Sequence, residues 1–308
     1  MKKNSILALL VVMSLILAAC SLDSPVSEND NDGAESGNEQ TIGFSISTLN
    51  NPFFVTLAEG AEAKAEELGM EITIVDAQGD PAKQISDIED LIQQGVDTIL
   101  INPADSDAVV SALESAHNAD IPVITVDRGA SEGEVVTHIA SDNIEGGKLA
   151  GEFIVEKIGG EGSVVELEGI SGSSAARERG QGFNEAIGAS GIEVVASQTA
   201  NFDRAEGLSV MENIIQSDVQ FDAVFAHNDE MALGAKEALE AAGMSDVLVV
   251  GFDANEDAIT AIENGYMTAT IAQKPDEIGM SSVETAQNIF NGENVEEFIP
   301  VELELVTE

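Results

Sequence analysis

The sequence predicts an α/β protein whose folded part is built on two similar parallel sheets, on three grounds. Beyond residue 40, short runs rich in β-branched residues alternate with longer stretches of Ala, Glu and Leu at helical spacing. Most runs are apolar throughout, as in strands covered by helices on both faces. They also outnumber the strands of one modest doubly wound sheet, and near residues 127–135 one run follows another without room for a full helix.

Taken in order, "TIGFSIS" ends at Ser47, and two asparagines, Pro52 and the pair Phe53-Phe54 follow at once. After "EITIVDA", Asp80-Pro81 sets a capping residue before a proline at the first helical position. "VDTILIN" runs into Asn102-Pro103-Ala104-Asp105, ahead of the helical "SDAVVSALESAHN". "IPVITVD" and "VVTHIAS" come next, then "SVVELEG", "IEVVASQ", "FDAVFAH", "VLVVGF" and "MTATIAQ", and the last run lies in "FIPVELELV". Passages between the sheets are expected near Ser141-Asp142, Gln273-Lys274 and Ile299-Pro300. They divide the chain into residues 41–141 plus 274–299 and residues 142–273 plus 300–308.

The N-terminus reads as an address. A basic start, an apolar stretch from Ile6 to Leu17 and small residues before Cys20 have the form of a secretory signal over residues 1–19. The stretch is too short to favour a membrane span. "LAAC" resembles a bacterial lipobox, which implies cleavage before Cys20 and lipid on its sulfur. As the chain's single cysteine, Cys20 leaves no internal disulfide or multi-cysteine metal site. Residues 20–40, poor in apolar groups, are expected to be a flexible tether.

A formal net charge of −45 argues against nucleic acid and anionic lipid as partners. Acidity spread over most helices describes solvated faces and suits a saline or alkaline setting.

Parallel sheets bind ligands beyond the carboxyl ends of their strands. Those ends offer Asn51, Phe53 and Phe54, then Asn102, Asp127, Arg128, Phe202, Asn228, Asp253 and Gln273; Arg177 and Arg179 open the helix after "VVELEGI". Amides, carboxylates and guanidiniums match the hydroxyls of a sugar, and phenyl rings match its C–H faces. Opposed Asp and Arg charges can also partner each other through a neutral ligand. Each Asn or Asp taken alone is more often a turn residue or helix cap. The joint occurrence with two adjacent aromatics and arginines favours a site.

Enzyme signatures are missing: no Gly-x-Gly-x-x-Gly follows a strand, no Walker loop occurs, and "GISGSSAARERG" misses the nucleophile-elbow spacing. His117, His138 and His227 lack metal-ligand spacing; His227, beside Asn228, is expected as a plain strand position, with contact behind the site as the alternative. No catalytic group, metal or cofactor is expected.

"STLNNPFFVTLAEGA", "ILINPADSDAVV", "IPVITVDRGASEGEVVTHIASDN", "SGSSAARERGQGF", "FAHNDEMALGA", "VVGFDANED" and "ATIAQKPDEIG" together resemble the bacterial D-ribose-binding proteins of the type I periplasmic binding protein superfamily. The resemblance implies two Rossmann-like lobes with parallel sheets, joined by a three-segment hinge and closing over one sugar. It also implies that Asn51, Phe53, Phe54, Asn102, Asp127, Arg128, Arg179, Phe202, Asn228, Asp253 and Gln273 contact the ligand, with Arg179 selected over Arg177.

The implied protein is a monomeric lipoprotein on the extracytoplasmic face of the membrane that passes D-ribose to an ABC permease and its ATPase. A chemoreceptor as a second partner stays open. Allose, xylose or an autoinducer-2-type furanosyl ligand is the alternative; a sugar-responsive regulator is opposed by the signal and by the lack of a helix-turn-helix segment before residue 41. If the acidity is an adaptation to salt, the unfolding midpoint rises as salt screens like-charge repulsion. A thermal melt series whose midpoint stays level with added salt would count against that reading.

Overall fold

Phe44 and Ile42 point to one face of the first strand and Gly43 and Ser45 to the other, and both faces are buried. That double burial explains why the strand runs are apolar throughout. The computed structural model describes residues 40–307. The expected signal, Cys20 and nearly all of the tether lie outside the described residues.

The first sheet is built from β1 (Thr41–Ile46), β2 (Glu71–Asp76), β3 (Thr98–Ile101), β4 (Val123–Val126), β5 (Thr137–Ser141) and β11 (Phe298–Val301). They lie in the order β11-β5-β4-β3-β1-β2, every neighbouring pair parallel. Helices α1 (Pro52–Leu68), α2 (Pro81–Gln94) and α3 (Val110–Asn118) connect the strands.

The second sheet holds β6 (Glu161–Glu168), β7 (Gly191–Thr199), β8 (Ala223–Ala226), β9 (Leu248–Asp253), β10 (Ala269–Ala272) and β12 (Glu304–Thr307). Their order is β12-β10-β9-β8-β6-β7, with β12 antiparallel to β10 and the rest parallel. Its helices are α4 (Asn143–Ile158), α5 (Ser174–Ile187), α6 (Arg204–Gln216), α7 (Asp229–Ala241) and α8 (Glu256–Glu263). A ninth described helix, α9 (Pro275–Phe290), follows β10 yet packs against α1 of the first lobe.

Each sheet carries an apolar cluster on both faces. Phe44, Leu57 and Ile278 belong to one face of the first sheet, and Ile88, Leu91 and Ile99 to the other. Met211, Val224 and Leu239 cover one face of the second, with Phe183, Phe225 and Phe252 opposite. The two sheets therefore carry separate cores, and the chain passes between them after Ser141, after Ala272 and at Glu302-Leu303.

Two local expectations change. The last passage is expected near Ile299-Pro300, but Pro300 and Val301 still pair with Ala140 and Ser141. β11 is an edge strand, where a residue without an N–H is tolerated, so the last passage falls beyond Ile299-Pro300. The helix expected from Ser106 begins at Val110. Asp105 Oδ1 accepts from the backbone N–H groups of Asp107 and Ala108 and holds those residues in turns instead.

Paired helices approach closely through reciprocal glycines. A Cβ on Gly147 of α4 would stand 2.1 Å from the Arg179 carbonyl oxygen, and one on Gly182 of α5 would stand 1.9 Å from that of Ile144. Comparable contacts join α1 to α9 and α6 to α7. Alanine favours a helix interior by about 1 kcal/mol, but forcing these backbones apart costs more. Gly147→Ala is therefore expected to lower stability by about 1–3 kcal/mol in urea unfolding. Unchanged or increased stability would mean that the two helices yield without cost.

Candidate functional site

The carboxyl ends of β1, β3 and β4 face those of β6, β8 and β9 across a cleft. These strand ends and the segments that follow them, with the residue after β10, carry the polar residues expected from sequence. Asn51, Phe53, Phe54, Asp127, Arg128, Arg179, Phe202, Asn228, Asp253 and Gln273 line one cavity. Ala175 also lines it, a residue whose type carries no signal in one sequence.

Asn102 is the exception. Wholly buried, it spends its amide on protein: Oδ1 accepts from the Ser47 hydroxyl (2.6 Å) and the Ser47 N–H (3.2 Å), while Nδ2 donates to the Val126 carbonyl (2.9 Å) and to Asp127 Oδ2 (3.3 Å). It braces Asp127 from behind and does not line the cavity. Arg177 donates to the Ser171 carbonyl and stays outside, so Arg179 is the arginine the cavity receives.

Helix starts position several of these groups. Asn51 caps α1, with Oδ1 accepting from the Phe53 N–H at 2.9 Å, and Asn228 caps α7, with Oδ1 accepting from the Met231 N–H at 3.0 Å. In both residues capping occupies the acceptor, and both line the cavity, so cap and site are the same residue. Asn228 Nδ2 reaches the Phe202 carbonyl only at 3.4 Å. Asp127, Phe202 and Asp253 adopt left-handed φ values of 62°, 60° and 119°, a strained backbone for residues with side chains.

Aromatic rings and guanidiniums interleave. Phe53 and Phe54 meet edge to face at 5.2 Å. The Arg128 guanidinium lies 4.8 Å from the Phe54 ring and, across the cleft, 5.2 Å from that of Phe202. Arg179 stands 5.9 Å from Phe202 and 3.8 Å from Phe252. Phe202 thus stands beside both cations.

The electrostatics follow from burial. Arg179 donates to Asn143 Oδ1 (2.9 Å) and to the His227 carbonyl (2.6 Å) and lies 3.5 Å from Asp253 Oδ1. Asp253 Oδ1 accepts from Gln273 Nε2 at 2.8 Å. Burial pushes the Asp253 carboxyl up to about 7, opposed by Arg179 and the Gln273 bond. Burial also raises Asp127, against Arg128 and Arg179, and draws Arg128 down to about 10, against Asp127. Asp229, behind the site, rises well above the carboxylate range through burial and the neighbouring Asp253 charge. Asp127 Oδ1 and Gln273 Oε1 are buried without a hydrogen bond from the protein. These two acceptors and the spare guanidinium N–H groups converge on the cavity, an arrangement suited to hydroxyls.

The lobes touch beside the cavity. The Ser106 N–H donates to the Gly172 carbonyl at 2.9 Å, and the Gly129 N–H donates to Ser174 Oγ at 2.8 Å. Sequence reasoning missed these contacts and the supports Ser47 and Asn143, and it favoured a plain strand position for His227 over one behind the site. Ser47 and His227 do stand at strand ends, the one signal that could have found them.

Comparison with known proteins agrees with this geometry. The periplasmic binding protein domain family matches residues 42–294. The ribose import binding protein RbsB of Bacillus subtilis (strain 168) is 49% identical over 99% of each chain. That of Escherichia coli (strain K12) is 50% identical over 96% of this chain and 97% of its own. Among solved structures, an ABC transporter solute binding protein from Bacillus halodurans C-125 with bound myo-inositol superposes with a TM-score of 0.84 at 36% identity, covering 87% of this chain and 94% of its own. The family is one of solute binding and transport, not of catalysis. Two lobes on parallel sheets, three connecting passages and a cavity at facing strand ends are its architecture, and the chain belongs to the type I periplasmic binding proteins.

Proposed function

We propose that this protein captures D-ribose between its lobes and delivers it to an ABC importer from the extracytoplasmic face of the membrane, held there by lipid on Cys20. The observation that carries the reading is the cavity itself. Its polar ring sets two guanidiniums against two carboxylates. A small, neutral, hydroxyl-rich ligand fits such a ring without adding charge. Phe53, Phe54 and Phe202 offer their rings to its C–H faces, and Asn51, Asp127, Arg128, Arg179, Asn228, Asp253 and Gln273 offer partners to its hydroxyls.

Relatives support the choice of sugar. Those named as ribose import binding proteins are 49–53% identical, against 36–41% for those named for D-apiose or rhizopine. Solved relatives with D-allose or L-arabinofuranose bound share the fold at TM-scores of 0.82, so a sugar panel is the proper test. Contacts from both lobes would favour the closed arrangement, in which a permease could meet the two lobe tips in register.

With no tryptophan in the chain, calorimetry is the assay of choice. D-ribose is expected to bind more tightly than allose, xylose, apiose or myo-inositol; no heat with ribose beside tight binding of another sugar would replace the ligand. Asp127→Ala or Arg128→Ala is expected to weaken binding by about 2–4 kcal/mol through loss of charge-assisted bonds. Phe53→Ala should weaken it less and loosen selectivity, and unchanged affinity in all three variants would move the site elsewhere.

Hydroxyls donating to Asp253 favour its ionised form, so affinity should fall as pH drops through about 7, the value of the free site. A loss of about tenfold for each unit by which ligand lowers that value is expected between about pH 8 and pH 5.5, and a shallower profile in Asp253→Asn. A wild-type profile without slope would remove Asp253 as an acceptor.

A further inference from the structure

His227 and Glu166 are both buried and do not line the ligand cavity. They form a bonded pair behind it, with Nε2 of His227 3.1 Å from Glu166 Oε1. The other ring nitrogen, Nδ1, accepts from the Gly169 backbone N–H at 3.3 Å. A peptide N–H can only donate, so Nδ1 carries no proton, and Nε2 carries it and donates to the carboxylate. Glu166 is itself held by the Ser197 hydroxyl at 3.2 Å and by Asn184 Nδ2 at 3.3 Å.

What this pair holds is the second lobe's half of the site. The Gly169 carbonyl accepts from Thr199 Oγ1 at 2.7 Å, so the residue is fixed at both ends. The Phe202 ring rests on it so closely that a Cβ at Gly169 would stand 2.1 Å from the ring. The His227 carbonyl takes the 2.6 Å bond from Arg179, and the next residue is Asn228. One imidazole is therefore tied to the supports of an aromatic wall, a guanidinium and an amide of the cavity.

We propose that His227, oriented by Glu166, is the positioning residue of the second lobe's ligand-facing groups, acting through Gly169 on Phe202 and through its own carbonyl on Arg179. The proposal rests on the sugar-binding reading above. Glutamine carries an acceptor and a donor that can serve Gly169 and Glu166 as the neutral imidazole does; leucine fills similar space with neither.

The test uses the full-length chain, D-ribose calorimetry and ¹⁵N NMR of the histidine rings. His227→Gln is expected to bind within about threefold of wild type and His227→Leu about thirtyfold more weakly, as when buried partners lose their bonds. Thr199→Val, which releases the other end of Gly169, should weaken binding by about tenfold at most and more than twofold. The NMR spectrum should show a protonated Nε2 and a bare Nδ1 at His227. Leucine binding like wild type, or glutamine losing as much as leucine, would overturn the proposal by reducing His227 to a filler. If the leucine variant fails to fold, Thr199→Val decides, and unchanged affinity overturns the proposal. Should wild type bind no ribose, the ligand reading fails, while a proton on Nδ1 would still sink the brace and the expected tautomer would still uphold it.

Discussion

The site depends on keeping ionised groups out of water. Asp127, Arg128, Arg179 and Asp253 are each at most 5% exposed, and isolated charges at such depth would cost several kcal/mol apiece. They are tolerable because they face one another and because aromatic rings occupy the remaining sides. The charge balance decides what can enter: a charged guest would upset it, and a purely apolar one would leave the Asp127 and Gln273 acceptors without donors. A neutral polyol satisfies both conditions.

That electrostatic arrangement explains the local backbone. Asp127, Phe202 and Asp253 sit in left-handed conformations that side chains resist; Asp127 and Phe202 lie in loops after strands and Asp253 ends β9. The strain is maintained by surrounding order: Asn102 holds Asp127, Gln273 holds Asp253, and Gly169 supports Phe202. Catalytic machinery is not required to account for any of it. Perturbed carboxyls and arginines often mark active sites, but here the same physics serves recognition.

The layout of the fold was legible in the sequence because double-sided burial leaves an unmistakable mark on strands such as "TILI" and "VFA". Helix starts were legible where chemistry is local, as at Asp80-Pro81 and Asn51-Pro52. The start of α3 was not, because Asp105 competes for the same N–H groups in a turn that no periodicity reveals. The last passage lies a few residues beyond Ile299-Pro300, because β11 extends through Pro300 at the sheet edge, which is a fact of topology. Within the site, strand-end position found the groups that line the cavity. It could not distinguish Asn102, which faces the protein, from Asn51 and Asn228, which face the cavity, since all three are asparagines after strands. A support such as Asn143 is visible only once distant segments meet.

The reciprocal glycines of α4 and α5, and their counterparts in the other helix pairs, bring backbones into direct contact with no side chain between them. Such seams have little slack, since neither partner has a rotamer to turn. Each lobe then behaves as a stiff jaw, and the compliance of the molecule concentrates in the three thin strips of chain that join the lobes. Work done by ligand contacts is delivered to those strips instead of being absorbed within a lobe. A small grip on a sugar ring can in this way become a large, reproducible displacement at the far edge of the molecule.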